Sequence, residues 1–225
     1  MILKRLLDIL LSLFGLIAAL PLFALIAAAM AIRDPGPLFY RQSRVGRNKR
    51  QFQMIKFRTM VVDADKQGPH ITAKHDPRIT PVGAFLRRSK LDELPELWNV
   101  LIGDMSLVGP RPEVPRYVAK YNLEWDEVFD VRPGITDLAT LQFRDEESVL
   151  EGISEREAAY LDVILPIKIE MALWYVRNQS VLLDVRILID TVLAITVGKV
   201  WPMSFGPDWA SIARERLNRW ILAGE

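Results

Sequence analysis

From Ile9 to Ile32 the chain runs for 24 residues without a charge. As a straight helix that run reaches roughly 36 Å, enough to cross the hydrocarbon core of a bilayer. It is too long for the apolar part of a cleaved signal peptide, and no small-x-small cleavage site follows it. Hydropathy alone reads it as one transmembrane helix. Two details argue for a different path. Pro21 sits near the middle, where it removes a backbone donor and crowds the carbonyl of residue 17. Basic residues flank both ends: Lys4 and Arg5 before, then Arg33, Arg41, Arg44, Arg47, Lys49 and Arg50 after. A spanning helix is expected to show that bias on one side only. If both flanks prefer the same face, residues 1–33 enter the membrane, bend at Pro21 and leave by the face they entered.

The charge balance supports a surface role for this end. The whole chain carries a net charge of +1, yet residues 1–60 hold ten Lys/Arg against two Asp/Glu. That basic front end suits an anionic phospholipid membrane. The chain has no cysteine, which excludes disulfides, thiolate metal sites and a cysteine nucleophile. No nucleic-acid reading motif accompanies the basic run, and the remainder is acidic, so no nucleic-acid partner is expected.

After the turn cluster "RDPGP" at 33–37, two runs at 38–44 and 51–59 flank "GRNKR" and predict a β-hairpin. Lys56 and Arg58 stand on alternate positions of the second run, so they are expected to share a face and meet a phosphate. Residues 65–83 are polar and broken by Gly68, Pro69, Pro77 and Pro81, which predicts a loop. The two histidines, His70 and His75, lie there without a metal-ligand pattern. Residues 85–90 read as a short basic helix, 131–137 ("VRPGITD") as a turn, and 155–177 as a helix kinked at Pro166. Residues 180–199 are apolar but interrupted by Asp184, Arg186 and Asp190, so they are not a second span. Trp209, Ala213, Leu217 and Trp220 form one stripe of an amphipathic helix, suited to a membrane interface or to the protein's own core. The fold class is therefore mostly α with a small β-hairpin (α+β). It divides into a membrane segment at 1–33 and a compact body at 34–225 with interfacial helices.

"SKLDELPELWNVLIGDMSLVGPRPE", residues 89–113, is the densest chemistry in the chain. Ser89 and Asp92 have capping-box spacing, and Pro95 fits only the first turn of the helix that follows. Asp92 and Glu93 thus fall at a helix start, where an anion is favoured and a carboxylate is expected to be ionised. An ionised aspartate is a competent nucleophile, and a second acid beside it can help hold a divalent cation. Arg111 stands between Pro110 and Pro112, which hold its backbone nearly fixed and leave a guanidinium ready for phosphate oxygens. With a membrane segment, the set points to phosphoryl transfer at a bilayer surface.

The chain resembles the bacterial sugar transferase family, the monotopic phosphoglycosyl transferases. The likeness runs through "KRLLDILLSLFGL", "DPGPLFYRQSRVGRN", "FQMIKFRTM", "DPRITPVGAFLRRSKLDELPELWNVLIGDMSLVGPRPE", "VRPGIT" and "WYVRNQSVLLDVRILIDT". The resemblance implies transfer of a sugar 1-phosphate from a UDP-sugar to polyprenyl (undecaprenyl) phosphate, with UMP released. It implies Asp92 as nucleophile of a covalent intermediate and Glu93 as its partner in handling Mg²⁺ or Mn²⁺ or in proton movement. Lys56 and Arg111 would contact phosphates, and the membrane segment would be a re-entrant helix–break–helix on the cytoplasmic face of a bacterial inner membrane. The sugar and the oligomeric state, a homodimer included, stay open. Three positions depart from the family pattern. Leu20 replaces a serine before the membrane proline. "DLATLQFRDEE" replaces "GWAQVNGRN" after "VRPGIT". Ala172 falls where an acid is usual, with Glu146 or Glu170 as substitutes. The alternative reading is a non-catalytic membrane scaffold of the same fold.

Overall fold

A computed structural model of the chain describes residues 2–64, 76–143, 155–197 and 207–223. It opens with one helix, α1 (Ile2–Arg33), which has Pro21 inside it. Its buried residues are Asp8, Ser12, Ala19, Ile26 and Met30. At 3.6 residues per turn these fall within about 40° of one another, so one narrow stripe of α1 faces protein. The other faces are apolar and open: Phe14 is 72% exposed and Leu25 is 68% exposed. Among the described residues α1 is the one helix long and apolar enough to cross a membrane.

Polar bonds fix the start of α1 to the body. Lys4 Nζ donates to Val108 O at 2.8 Å and Asp184 Oδ2 at 2.7 Å. Arg5 donates to Val100 O and Leu101 O. Asp8 Oδ1 accepts from Ser106 Oγ and Leu107 N, both at 3.0 Å. Lys4 and Arg5, which read in sequence as simple flanking charges, are thus committed to protein. Further along, Ile26 and Met30 join Phe57 and Leu86 in a small apolar cluster.

The expected hairpin is present as β1 (Phe39–Val45) and β2 (Gln51–Phe57), antiparallel, with Tyr40 opposite Lys56 and Arg41 opposite Ile55. Its turn places Asn48 and Lys49 at positive φ. The expected loop at 65–83 falls partly on residues outside the described set, as do His70 and His75; its end, Pro81–Ser89, is helix α2. Next come a 3₁₀ turn at Leu91–Glu93, α3 (Glu96–Ile102) and β3 (Ser106–Val108). After α4 (Pro115–Val118) and a 3₁₀ stretch at Leu123–Asp130, β4 (Gly134–Thr136) pairs parallel with β3. The "VRPGITD" segment is therefore half strand, where a turn was expected: Gly134 lets its backbone approach the chain at Gly109. α5 (Leu138–Gln142) follows.

The main core gathers around α6 (Arg156–Ala159), a π-helical turn (Tyr160–Ile164) and α7 (Leu165–Asn178). The π turn absorbs the disturbance at Pro166, with Leu165 N bonding back to Tyr160 O. α8 (Val181–Val197) buries Asp184, Ile187 and Asp190, and leaves Leu182, Val185, Ile189 and Val192 exposed as an apolar stripe. α9 (Trp209–Ala223) decides between the two readings of its stripe. Trp209 and Ala213 are buried in the main core, with Leu217 and Trp220 packed on it, so this stripe serves the protein's own interior. An amphipathic pattern does not distinguish core from membrane; here the apolar surface of α7 and the π turn is the neighbour that claims it.

The β3–β4 contact sets up a stability test. A Cβ on Gly134 would lie 2.1 Å from Gly109 N and 2.4 Å from Gly109 O, both backbone atoms that cannot step aside. Gly134→Ala is expected to lower stability by about 2–3 kcal/mol or more through this overlap. Thermal unfolding in detergent checks it; an unchanged midpoint contradicts the close approach.

Candidate active site

The carboxylate pair is delivered by a sharp change of direction. α2 ends at Ser89, whose hydroxyl donates back to Phe85 O at 2.8 Å and Leu86 O at 3.2 Å. It therefore closes the preceding helix and does not cap the next, contrary to the capping-box expectation. Lys90 adopts a left-handed φ of 57°, and the chain turns through Leu91–Glu93. Pro95 precedes α3, where a missing amide hydrogen costs nothing. One turn into α3, Asn99 accepts from Ile55 N at 3.1 Å and donates to Gln53 O at 2.8 Å. That side chain registers α3 against β2 and brings Lys56 to the carboxylates.

Lys56 Nζ lies 2.8 Å from Glu93 Oε1, as a hydrogen-bonded ion pair. It lies 3.1 Å from Glu96 Oε1, within ion-pair distance but without hydrogen-bond alignment. Arg111 Nη2 donates to the same Glu93 oxygen at 3.1 Å. The backbone at Arg111 is held from several sides. Its N–H donates to Asp137 Oδ2, Gly134 N–H donates to Pro110 O at 3.0 Å, and Arg44 Nη1 donates to Pro112 O at 2.8 Å. Asp137 also caps α5 through Thr140 N–H. Beyond Arg111 lies a cavity of about 40 Å³, bordered by Glu113, Asp137, Lys168 and Ala172.

The electrostatics separate the acids. Burial alone would raise Glu93, but Lys56 and Arg111 outweigh it and hold its carboxyl well below the usual range. Burial likewise opposes the charge on Lys56, yet Glu93 and Glu96 together keep its ammonium more basic than usual. Glu93 foremost holds Arg111 firmly protonated. Burial pushes Glu96 up, against the pull of Lys56. Asp92 is also pushed up, first by burial and then by the charge on Glu93, despite Lys56, Lys90 and Arg87. The expectation that a helix start favours ionised Asp92 is thus corrected. A short 3₁₀ turn supplies little dipole, and desolvation beside a second carboxylate is larger. Asp92 Oδ1 is buried without a hydrogen-bond partner, an acceptor left open at the centre of the cluster.

Four sequence-predicted residues, Lys56, Asp92, Glu93 and Arg111, are brought together. Arg58 is not. β2 ends at Phe57, and the Arg58 guanidinium turns onto Pro37 O, Met60 O and Asp34 O, where it braces the turn after α1. Pro21 lies within α1, apart from the acids in sequence and role. Glu170 faces outward in a pair with Arg216 at 2.7 Å, so it does not replace the acid missing at Ala172; Glu146 is outside the described residues. Sequence reasoning missed Glu96, Asn99 and Asp137. Glu96 follows Asp92 by four residues, a spacing that puts both near one helical face. Asp137 precedes an apolar run as an N-cap should. As to a cation, the described residues hold no group of three or more ligands. The orphaned Asp92 oxygen nevertheless suits a hard cation whose other positions are filled by water and substrate phosphates, the usual habit of Mg²⁺.

The raised Asp92 carboxyl has a stability consequence. An acid that holds its proton more tightly when folded contributes full stability below its unfolded value and loses it as pH rises through the folded one. At neutral pH, ionised Asp92 therefore works against folding. Asp92→Asn removes that charge at nearly constant shape. In metal-free detergent solution its unfolding midpoint at pH 7 is expected about 2–4 °C above the unsubstituted protein. The gap should close towards pH 4, and a pH-independent difference or a loss of stability contradicts the assigned burial.

The chain matches the bacterial sugar transferase family over residues 1–198. The exopolysaccharide production protein PSS of Rhizobium leguminosarum bv. phaseoli is 38% identical over 207 residues, covering 88% of this chain and 98% of that protein. The UDP-glucose:undecaprenyl-phosphate glucose-1-phosphate transferase of Xanthomonas campestris pv. campestris is 39% identical over 202 residues, covering 85% of this chain and 38% of that one. The UDP-N-acetylgalactosamine-undecaprenyl-phosphate N-acetylgalactosaminephosphotransferase of Aeromonas hydrophila is 36% identical, covering 87% and 44%. The chain thus spans less than half the length of these last two. With the matched region reaching from the membrane helix through the carboxylate turn to α8, the chain belongs to the bacterial sugar transferase family.

Proposed function

We propose that the chain transfers a sugar 1-phosphate from a UDP-sugar to polyprenyl (undecaprenyl) phosphate, releasing UMP. The observation that carries the reading is the open Asp92 oxygen next to Glu93, whose carboxylate holds the two cations Lys56 and Arg111, in a chain whose relatives are named for this reaction. Asp92 attacks the phosphorus next to the sugar. A new P–O bond forms to the carboxylate, and the bond to UMP breaks, with both electrons leaving on the UMP oxygen. An oxygen of the prenyl phosphate then attacks the same phosphorus and frees Asp92, a ping-pong sequence. Lys56 and Arg111 are already charged and positioned, so they stabilise developing phosphate charge without reorganising. Glu93 keeps those cations in place before substrate arrives. Mg²⁺ or Mn²⁺, held by Asp92 and Glu93 with the diphosphate, would screen like charges during approach. The family names cover glucose and N-acetylgalactosamine, so the sugar is not assigned.

The path of α1 belongs to the same proposal. Lys4, Arg5 and Asp8 bond to the body at one end, and Ile26 and Met30 pack on it near the other. On a straight helix residues 4 and 30 are roughly 39 Å apart. A spanning α1 would drag that charged body into hydrocarbon. Support therefore favours a helix that enters and leaves by the cytoplasmic face of the inner membrane, with Pro21 as the place of any bend.

Two measurements follow. With a panel of UDP-sugars, undecaprenyl phosphate and Mg²⁺, the protein should release UMP, and EDTA should stop it. Asp92→Asn should lower turnover by roughly a thousandfold or more, because covalent catalysis has no substitute. No UMP from any UDP-sugar would instead favour a non-catalytic scaffold. Separately, single cysteines at Ile2→Cys and Gln51→Cys should both react with an impermeant thiol reagent only after cells are opened. Labelling of the first from the periplasm would mean that α1 spans.

A further inference from the structure

Between α1, the hairpin and the head of α3 lies a second cleft, of about 250 Å³. Leu16 and Phe23 line it from α1, Phe39 and Arg41 from β1, Ile55 from β2, and Pro95 and Trp98 from the carboxylate side. Its walls are firm. Phe57 stacks on Phe39 with ring centres 5.4 Å apart and meets Phe23 edge-on at 5.0 Å, so both aromatic walls are braced from behind. The cleft is also open, since Trp98 is 49% exposed at its rim. It is smaller than the roughly 300–1,000 Å³ of ordinary small-molecule sites, so a nucleotide sugar does not fit it.

One cation stands among these apolar walls. Lys56, Arg44, Arg58 and Arg111 are each bonded within the protein, whereas exposed Arg41 has no ion pair or hydrogen bond among the described residues. Arg41 pairs across the hairpin with Ile55, the neighbour of Lys56, and Pro95 follows Asp92 by three residues. An apolar slot with a spare guanidinium, bordered by α1 and by Pro95 three residues after Asp92, complements one kind of molecule: a single hydrocarbon chain ending in a phosphate.

We propose that this cleft seats the first isoprene units of the polyprenyl phosphate acceptor, with Arg41 on its phosphate. This rests on the reading of the chain as a sugar 1-phosphate transferase. A two-chain phospholipid suits the slot less well, because the slot has room for one chain segment. The arrangement delivers the acceptor from the α1 side of the cleft.

The test uses the full chain in nanodiscs with a diazirine-bearing prenyl phosphate. Cross-links should map to peptides carrying Leu16, Phe39 or Trp98. Excess prenyl phosphate should displace them, and excess phosphatidylglycerol should not. Leu16→Trp, which fills the slot, should weaken labelling about tenfold and raise KM for the long-chain acceptor by a similar factor. The single-turnover release of UMP from UDP-sugar without acceptor should be unchanged. Arg41→Gln should raise the acceptor KM, and Arg41→Lys should restore it in part. Labels mapping elsewhere, or lost equally to phosphatidylglycerol, overturn the assignment. If the unsubstituted protein releases no UMP, the transferase reading fails on its own, while the cross-link map still decides whether the cleft holds a prenyl phosphate.

Discussion

The contact on which the rest of the site depends is Lys56 between Glu93 and Glu96. It joins the hairpin to two consecutive elements distant from it in sequence, the 3₁₀ turn and α3. Its geometry requires β2 to be registered on α3, which Asn99 does through two bonds to the β2 backbone. Taking such charges out of water is costly, and removing one partner of a buried pair costs about 3–5 kcal/mol. The cluster is therefore a fixed arrangement rather than a surface decoration. Arg111 extends it to the Pro110–Pro112 segment, itself pinned by β4, Asp137 and Arg44. With Glu93 neutralised twice over, Asp92 is the acid left without a close partner. The same desolvation that raises its carboxyl leaves one of its oxygens without a hydrogen-bond partner. Stability is given up at this residue, as functional sites commonly do.

α1 joins that site to the long apolar helix surface. Its first turns are bonded by Lys4, Arg5 and Asp8, and its later turns by apolar contacts to Phe57 and Leu86. Its open faces, the exposed stripe of α8 and the exposed Trp98 and Ile102 of α3 present apolar surface to the outside. That surface fits a protein lying in a membrane with its carboxylates near the interface, the position in which a soluble nucleotide sugar and a lipid phosphate can both reach one aspartate.

Much of this was legible in the sequence, and the misses have physical reasons. The uncharged run, the hairpin, Asp92–Glu93 and the proline-flanked Arg111 are local signals, and local signals survive folding. Lys56 was found by its strand position. Arg58 was misplaced by the same logic, because alternation predicts a shared face only while the strand continues, and β2 stops at Phe57. The downward pull on the Asp92 carboxyl that a helix start implies is outweighed by burial and a second acid, which push it up. The α9 stripe could face core or lipid, a choice made by what α7 offers rather than by its own pattern. Glu96 and Asp137 were missed because their roles depend on partners, Lys56 and Arg111, that only tertiary contacts supply.

The central claim is that Asp92 itself carries the phosphosugar. Intact-protein mass spectrometry after incubation with UDP-sugars and Mg²⁺, without acceptor, tests it most directly. The account predicts a mass increase equal to one sugar phosphate, mapped to the peptide containing Asp92, absent in Asp92→Asn and discharged by undecaprenyl phosphate. Turnover without any such adduct, or an adduct that persists in Asp92→Asn, would contradict it.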